Sequence, residues 1–98
     1  MREVSEHELD RALSEEERLV LVFFWHDRCE PCRELRRELE DLGADVCLAL
    51  AVDAGQHPAV AARNRVVEFP TVVFFKRGAE LHRFRGGAMP PSTLALLG

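Results

Sequence analysis

Cys29 and Cys32 are the residues of this sequence best suited to chemistry: two thiols separated by two residues, with a third cysteine, Cys47, standing apart. A C-x-x-C pair can cycle between dithiol and disulfide, or it can supply two ligands to a soft metal. Three cysteines with one close pair argue against the disulfide framework of a small secreted protein. Redox exchange needs one of the thiols as thiolate, so the neighbours matter. Arg28 and Arg33 flank the pair and favour the thiolate, while Glu30 between the cysteines opposes them at similar range. Pro31 falls in the first turn of the expected helix, where its missing N–H does no harm and its ring stiffens the loop.

The elements that must hold this pair can be read from the flanking patterns. Leu19 to Trp25 is a continuous apolar, β-branched and aromatic run, the signature of a central strand buried on both faces. The His26-Asp27-Arg28 loop follows. Cys32, Leu35, Leu39 and Leu42 then form an apolar stripe at helical spacing, which predicts an amphipathic helix ending at Gly43. Cys29 therefore stands at or before the first helical turn and Cys32 one turn inside it. Free amide N–H groups and the helix dipole stabilise a thiolate at that terminus, so Cys29, the more exposed of the two, is expected as the nucleophile. Cys32, deeper on the core-facing stripe, is expected as the resolving thiol that attacks the mixed disulfide.

The rest of the chain continues the alternation of helix and strand. Ser5 and Glu8 form a capping box that opens a helix over about residues 6–17, with Leu9, Ala12 and Leu13 as its apolar stripe. Asp45 to Val52 predicts a second buried strand, with Cys47 as an inert core thiol in mid-strand. Pro58 introduces a short helix to about Asn64. Thr71 to Phe75, a Lys76-Arg77-Gly78 turn and the more polar Glu80 to Arg85 predict a hairpin whose second strand is an edge. Ser92 to Leu97 can form a short terminal helix. The fold class expected is α/β, a central mixed sheet of four to five strands with helices on both faces, in one domain over residues 1–98.

Composition narrows the partners. At 98 residues, 47% hydrophobic and 31% charged, the chain is globular in character. Its net charge of −4 offers no overall attraction to nucleic acid or to an anionic membrane surface, and no stretch has the length and apolarity of a membrane span. Met1 is followed by Arg2-Glu3-Val4-Ser5-Glu6-His7-Glu8 rather than by a basic start and an apolar run, so a cytoplasmic location is expected. His26 could join Cys29 and Cys32 as a metal ligand, but no fourth ligand stands at a suitable spacing, and His26 is read as a solvated loop residue. His7, His57 and His82 are read as exposed.

The segment Phe24-Trp25-His26-Asp27-Arg28-Cys29-Glu30-Pro31-Cys32-Arg33 resembles the active-site segment of the thioredoxin family. Phe69-Pro70-Thr71 resembles its second signature, and Lys76-Arg77-Gly78 and Gly86 resemble the hairpin and glycine that follow, so the likeness runs from about Leu19 to Gly87. The resemblance implies a cis-proline at Pro70 opposite the dithiol. It also implies a substrate groove lined by Trp25, Arg28, Pro31, Phe69, Pro70 and Gly86, in which the main chain of Phe69 pairs with an extended client segment. The clients would be disulfide-containing proteins and the electron donor a thioredoxin-reductase-like protein, with no bound cofactor or metal and a monomeric chain.

Four positions depart from the family pattern. Arg28 stands in place of a Trp and Glu30 in place of a Gly, which makes the groove more charged. Phe23 occupies the position of a buried Asp and Ala51 that of its accompanying Lys, so the usual proton-handling group is missing. The main expectation is a reductant of protein disulfides. The alternatives are an oxidase or isomerase of the same fold, and a binding module whose cysteines only tune a docking groove.

Overall fold

The computed structural model describes residues 1–42 and 46–97. The elements in chain order are β1 (Arg2–Glu3), α1 (Glu6–Glu15), β2 (Val20–Trp25), α2 (Glu30–Glu40), β3 (Leu48–Asp53), α3 (Pro58–Arg63), β4 (Thr71–Lys76), β5 (Ala79–Arg85) and α4 (Pro91–Leu97). The five strands form one mixed sheet in the order β1-β3-β2-β4-β5. β3 runs parallel to both β1 and β2, whereas β4 is antiparallel to β2 and to β5. β2 is thus the middle strand, as its unbroken apolar run requires.

Strand alternation divides the core into two layers. Val20, Val22 and Phe24 of β2, with Leu50, Val52 and Val73, pack against Leu9 of α1 and Val60 and Ala61 of α3. Leu21 and Phe23, with Ala51, Val72 and Phe74, pack against Cys32, Leu35 and Leu39 of α2. Leu97 of α4 packs on this second layer too. Helices therefore cover both faces, and the two cysteines belong to the second layer.

Local signals shape the ends of the elements. Ser5 Oγ accepts from the Glu8 N–H at 3.3 Å, and the Ser5 N–H donates to Glu8 Oε1 at 3.1 Å, so the capping box forms; a cap of this kind is worth about 1 kcal/mol. These hydrogen bonds to Ser5 also hold the Glu8 carboxyl below its ordinary range. The β4–β5 connection is a two-residue turn in which Arg77 (φ 51°) and Gly78 (φ 82°) are both left-handed, the geometry that matches the twist of a hairpin.

Three expectations change. Arg2–Glu3 carries no strand pattern in the sequence, yet these residues pair in parallel with Leu50 and Ala51 at the sheet edge. β3 starts at Leu48, where pairing with Val20 begins, so Cys47 precedes the strand rather than sitting within it, although it is buried. α2 ends at Glu40, with Asp41 as its C-cap; the expected stop at Gly43 and strand start at Asp45 lie outside the described residues.

Candidate functional site

The C-terminal end of β2 delivers the chain to a sharp entry into α2. Cys29 is the N-cap of that helix, with extended backbone (φ −118°, ψ 101°), and Pro31 sits in the first turn. The Cys32 N–H donates to Cys29 Sγ at 3.2 Å, so the cysteine sulfur takes the acceptor role that a serine or aspartate oxygen fills at other helix starts. Cys29 and Cys32 are joined as a disulfide with their Cα atoms 5.2 Å apart. The same N–H is in place to stabilise negative charge on Cys29 once the bond is reduced.

Cys29 is the more exposed of the two thiols only by a small margin, and both are buried. Cys29 is 5% exposed and Cys32 3%, and both belong to the second core layer. The charges around the pair also rearrange. Arg33 forms an ion pair with Glu30 one turn back on the exposed face of α2, which offsets the two influences expected on the thiolate. Arg28 is exposed, and its backbone N–H donates to His26 Nδ1 at 3.2 Å. His26 is half-buried rather than fully solvated, its ring edge-on to Phe69 with centroids 5.0 Å apart.

The other expected groove residues gather from three segments. Phe69 packs against both core layers, and the Phe69–Pro70 peptide bond is cis. The Gly86 N–H donates to the Pro70 carbonyl at 3.2 Å, tying the end of β5 to the residue before β4, and Gly86 holds φ 108°, which favours glycine. The neighbouring Gly87 escaped the sequence reading. A Cβ there would stand 3.2 Å from Pro31 Cβ, so Gly87 lets this loop close against the first turn of α2. Trp25 is half-buried at the end of β2, whereas Pro31 is exposed.

A second group that sequence reasoning missed lies beside Trp25. The Arg36 guanidinium stacks over the Phe23 ring at 5.1 Å and the Trp25 ring at 4.9 Å. Glu3 of β1 holds it: Arg36 Nη2 donates to Glu3 Oε2 at 3.0 Å, and Trp25 Nε1 donates to Glu3 Oε1 at 3.1 Å. The partners are 33 and 22 residues apart in sequence, so no local pattern announces them. Cys47 is buried in the same core layer, its thiol pushed up by burial with only partial relief from Arg18. Among the described residues, no group of three or more His, Cys, Asp or Glu side chains could hold a metal ion, and no helix is long and apolar enough to cross a membrane.

Comparison with known proteins agrees with this geometry. The thioredoxin family model matches residues 1–95. A thioredoxin of Chlamydia caviae is 40% identical over 70 residues, which cover 69% of this chain and 69% of that protein. A thioredoxin-like protein of Synechocystis is 33% identical over 70 residues, 68% of this chain and 67% of its own length. The crystal structure of Fasciola hepatica thioredoxin superposes with a TM-score of 0.85 at 31% identity, covering 98% of this chain and 94% of that one. With this fold and a C-x-x-C pair at bonding distance where the middle strand meets its helix, the chain belongs to the thioredoxin family of thiol-disulfide oxidoreductases.

Proposed function

We propose that this chain, acting as one domain, reduces the disulfides of client proteins, with Cys29 as nucleophile and Cys32 as resolving thiol. The observation that carries the reading is the N-cap position of Cys29, whose sulfur accepts the Cys32 N–H. In the first step the Cys29 thiolate attacks a client disulfide; the Cys29–client bond forms and one client sulfur leaves as thiolate. In the second the Cys32 thiolate attacks Cys29 Sγ, the intramolecular disulfide forms, and the second client sulfur leaves. Two electrons pass to the client and the protein ends oxidised. A thioredoxin-reductase-like dithiol donor then recharges it, which makes the chain an electron carrier in cytoplasmic redox homeostasis.

Trp25, Arg28, Pro31, Phe69, Pro70 and Gly86 line the client groove in this reading. The contacts of Pro70 with Gly86 and of Pro31 with Gly87 support it, because they bring the loop after β5 and the residue before β4 to the same end of the sheet as the dithiol. An extended client segment pairs with the Phe69 main chain, a contact that tolerates many sequences. The test is insulin reduction alongside the equilibrium potential of the pair. Catalysed reduction with a potential near about −270 mV supports the reading, whereas a potential towards about −120 mV makes the protein an oxidant. A Cys29→Ser, Cys32→Ser double variant that kept full biological activity would instead make the chain a docking module.

A further inference from the structure

Phe23 stands where the family pattern has a buried carboxylate, and a guanidinium is held over its ring. Arg36 follows Cys32 by one helical turn, a spacing that sets two Cβ atoms on the same side of a helix about 5–6 Å apart. Side chains on a helix lean towards its N-terminus, and a long side chain covers the turn preceding its own Cα. The Arg36 guanidinium accordingly lies over the ring of Phe23, which shares the second core layer with both cysteines. It is fixed on two aromatic faces and by Glu3 from a third element.

We propose that Arg36, held in place by Glu3, is a positioning residue for the second exchange step: its fixed positive charge stabilises the attacking thiolate of Cys32. This inference rests on the reading of Cys32 as the resolving thiol. The cation favours loss of the Cys32 proton to water, so more of the thiol stands ready to attack Cys29 Sγ at neutral pH. The bond that forms and the sulfur that leaves are those of the second step above.

Charged groups approach Arg36 from its own helix and from the strands packed against it. On α2, Glu30 is engaged by Arg33, and Glu40 stands a turn beyond. From β1 comes Glu3, whose carboxylate pairs with Arg36 at 3.0 Å, fixing its place and offsetting part of its charge. β2 presents Phe23 and Trp25, and β3 presents Ala51 and Asp53, whose Oδ1 accepts the Gly55 N–H. Across from α2, the Met89 N–H is bound by Glu38.

The experiment separates the two steps with dithiobis-nitrobenzoate, whose thiolate absorbs visible light. Reduced protein releases one thiolate as Cys29 forms the mixed disulfide and a second as Cys32 resolves it; Cys32→Ser stops after the first. Both releases are followed from about pH 6 to about pH 9. In Arg36→Gln the second release is expected to slow by about five- to tenfold near neutral pH and to converge on the wild-type rate as pH rises, while Arg36→Lys keeps the wild-type profile. Equal second-release profiles in wild type and Arg36→Gln, a slowing of the same size at every pH, or a shift in Arg36→Lys as large as in Arg36→Gln would each overturn the inference. If Arg36→Gln does not fold, the Arg36→Lys profile alone decides, since a shifted profile with the charge retained refutes it. Absence of any fast first release would refute the exchange reading itself rather than the role of Arg36.

Discussion

Phe23 of β2 and Ala51 of β3 are register partners in the parallel ladder, and neither has any solvent exposure. An ionisable side chain at this pair would sit in the core layer that holds both cysteines, under the guanidinium of Arg36. Phe23→Asp is therefore expected to supply a proton acceptor for Cys32 and to speed insulin reduction near neutral pH. The same change removes a large buried ring and buries a carboxyl, at a cost of about 3–5 kcal/mol. Steady-state reduction across pH, with denaturant melts of both proteins, checks the two effects. A folded variant that is no faster shows that the missing carboxylate does not limit turnover.

Alkylation should distinguish the three thiols of the reduced protein. Only Cys29 occupies the helix N-cap, where the Cys32 N–H can stabilise its thiolate, so Cys29 is expected to react with iodoacetamide first. Burial raises the Cys47 pKa, which lowers its thiolate fraction at any given pH, and Cys47 should label only on unfolding or at high pH. Peptide mass mapping over time gives the order. Labelling of Cys32 as fast as Cys29 would reverse the roles assigned to them.

Removal of one thiol at a time tests the two-step exchange. Cys32→Ser leaves the Cys29 adduct without an intramolecular exit and should accumulate mixed disulfides with a client such as insulin. Cys29→Ser should accumulate none. Non-reducing electrophoresis of the two reactions reads the difference, and equal trapping by both variants would count against the scheme.

Trp25 is the only tryptophan, and it packs against the layer that contains the disulfide. Its indole is held by Glu3 and covered by Arg36. Emission is expected to change when dithiothreitol reduces the pair, and the change should persist in Cys47→Ser. A spectrum indifferent to reduction would mean that Trp25 does not sense the dithiol.

The ion pair between Glu80 and Arg83 gives an acid-limb prediction. The hydrogen bond from Arg83 lowers the Glu80 pKa below its unfolded value, so its contribution is present above the unfolded value and is lost as pH falls through the folded one. Arg83 also donates to the Asn64 carbonyl at 2.9 Å, joining β5 to the end of α3. Glu80→Gln should therefore flatten the fall in melting temperature on the acid side while changing little near neutral pH, where exposed pairs contribute at most about 1 kcal/mol. Thermal melts of the two proteins at a series of acidic pH values provide the measurement.

What the sequence determined by itself was whatever depends on near neighbours. The capping box at Ser5 and Glu8, the stripe of α2, the unbroken run of β2 and the Cys29–Cys32 spacing at their junction are all local patterns, and each formed, although α1 stops at Glu15 and α2 at Glu40, before Leu42 of the stripe. The tertiary structure decided what depends on partners brought from far along the chain. Arg2 and Glu3 are both exposed and show no alternation, so only parallel pairing with β3 makes them a strand. The start of β3 after Cys47 was set by where Val20 ends the ladder rather than by the apolar run. The burial of Cys29, the closure of Gly87 on Pro31 and the seating of Arg36 between Glu3, Phe23 and Trp25 join segments separated by intervening helices and strands. Residue types announce which side chains can bond or stack, but distance in space selects the partner, and that distance exists only once the sheet has assembled.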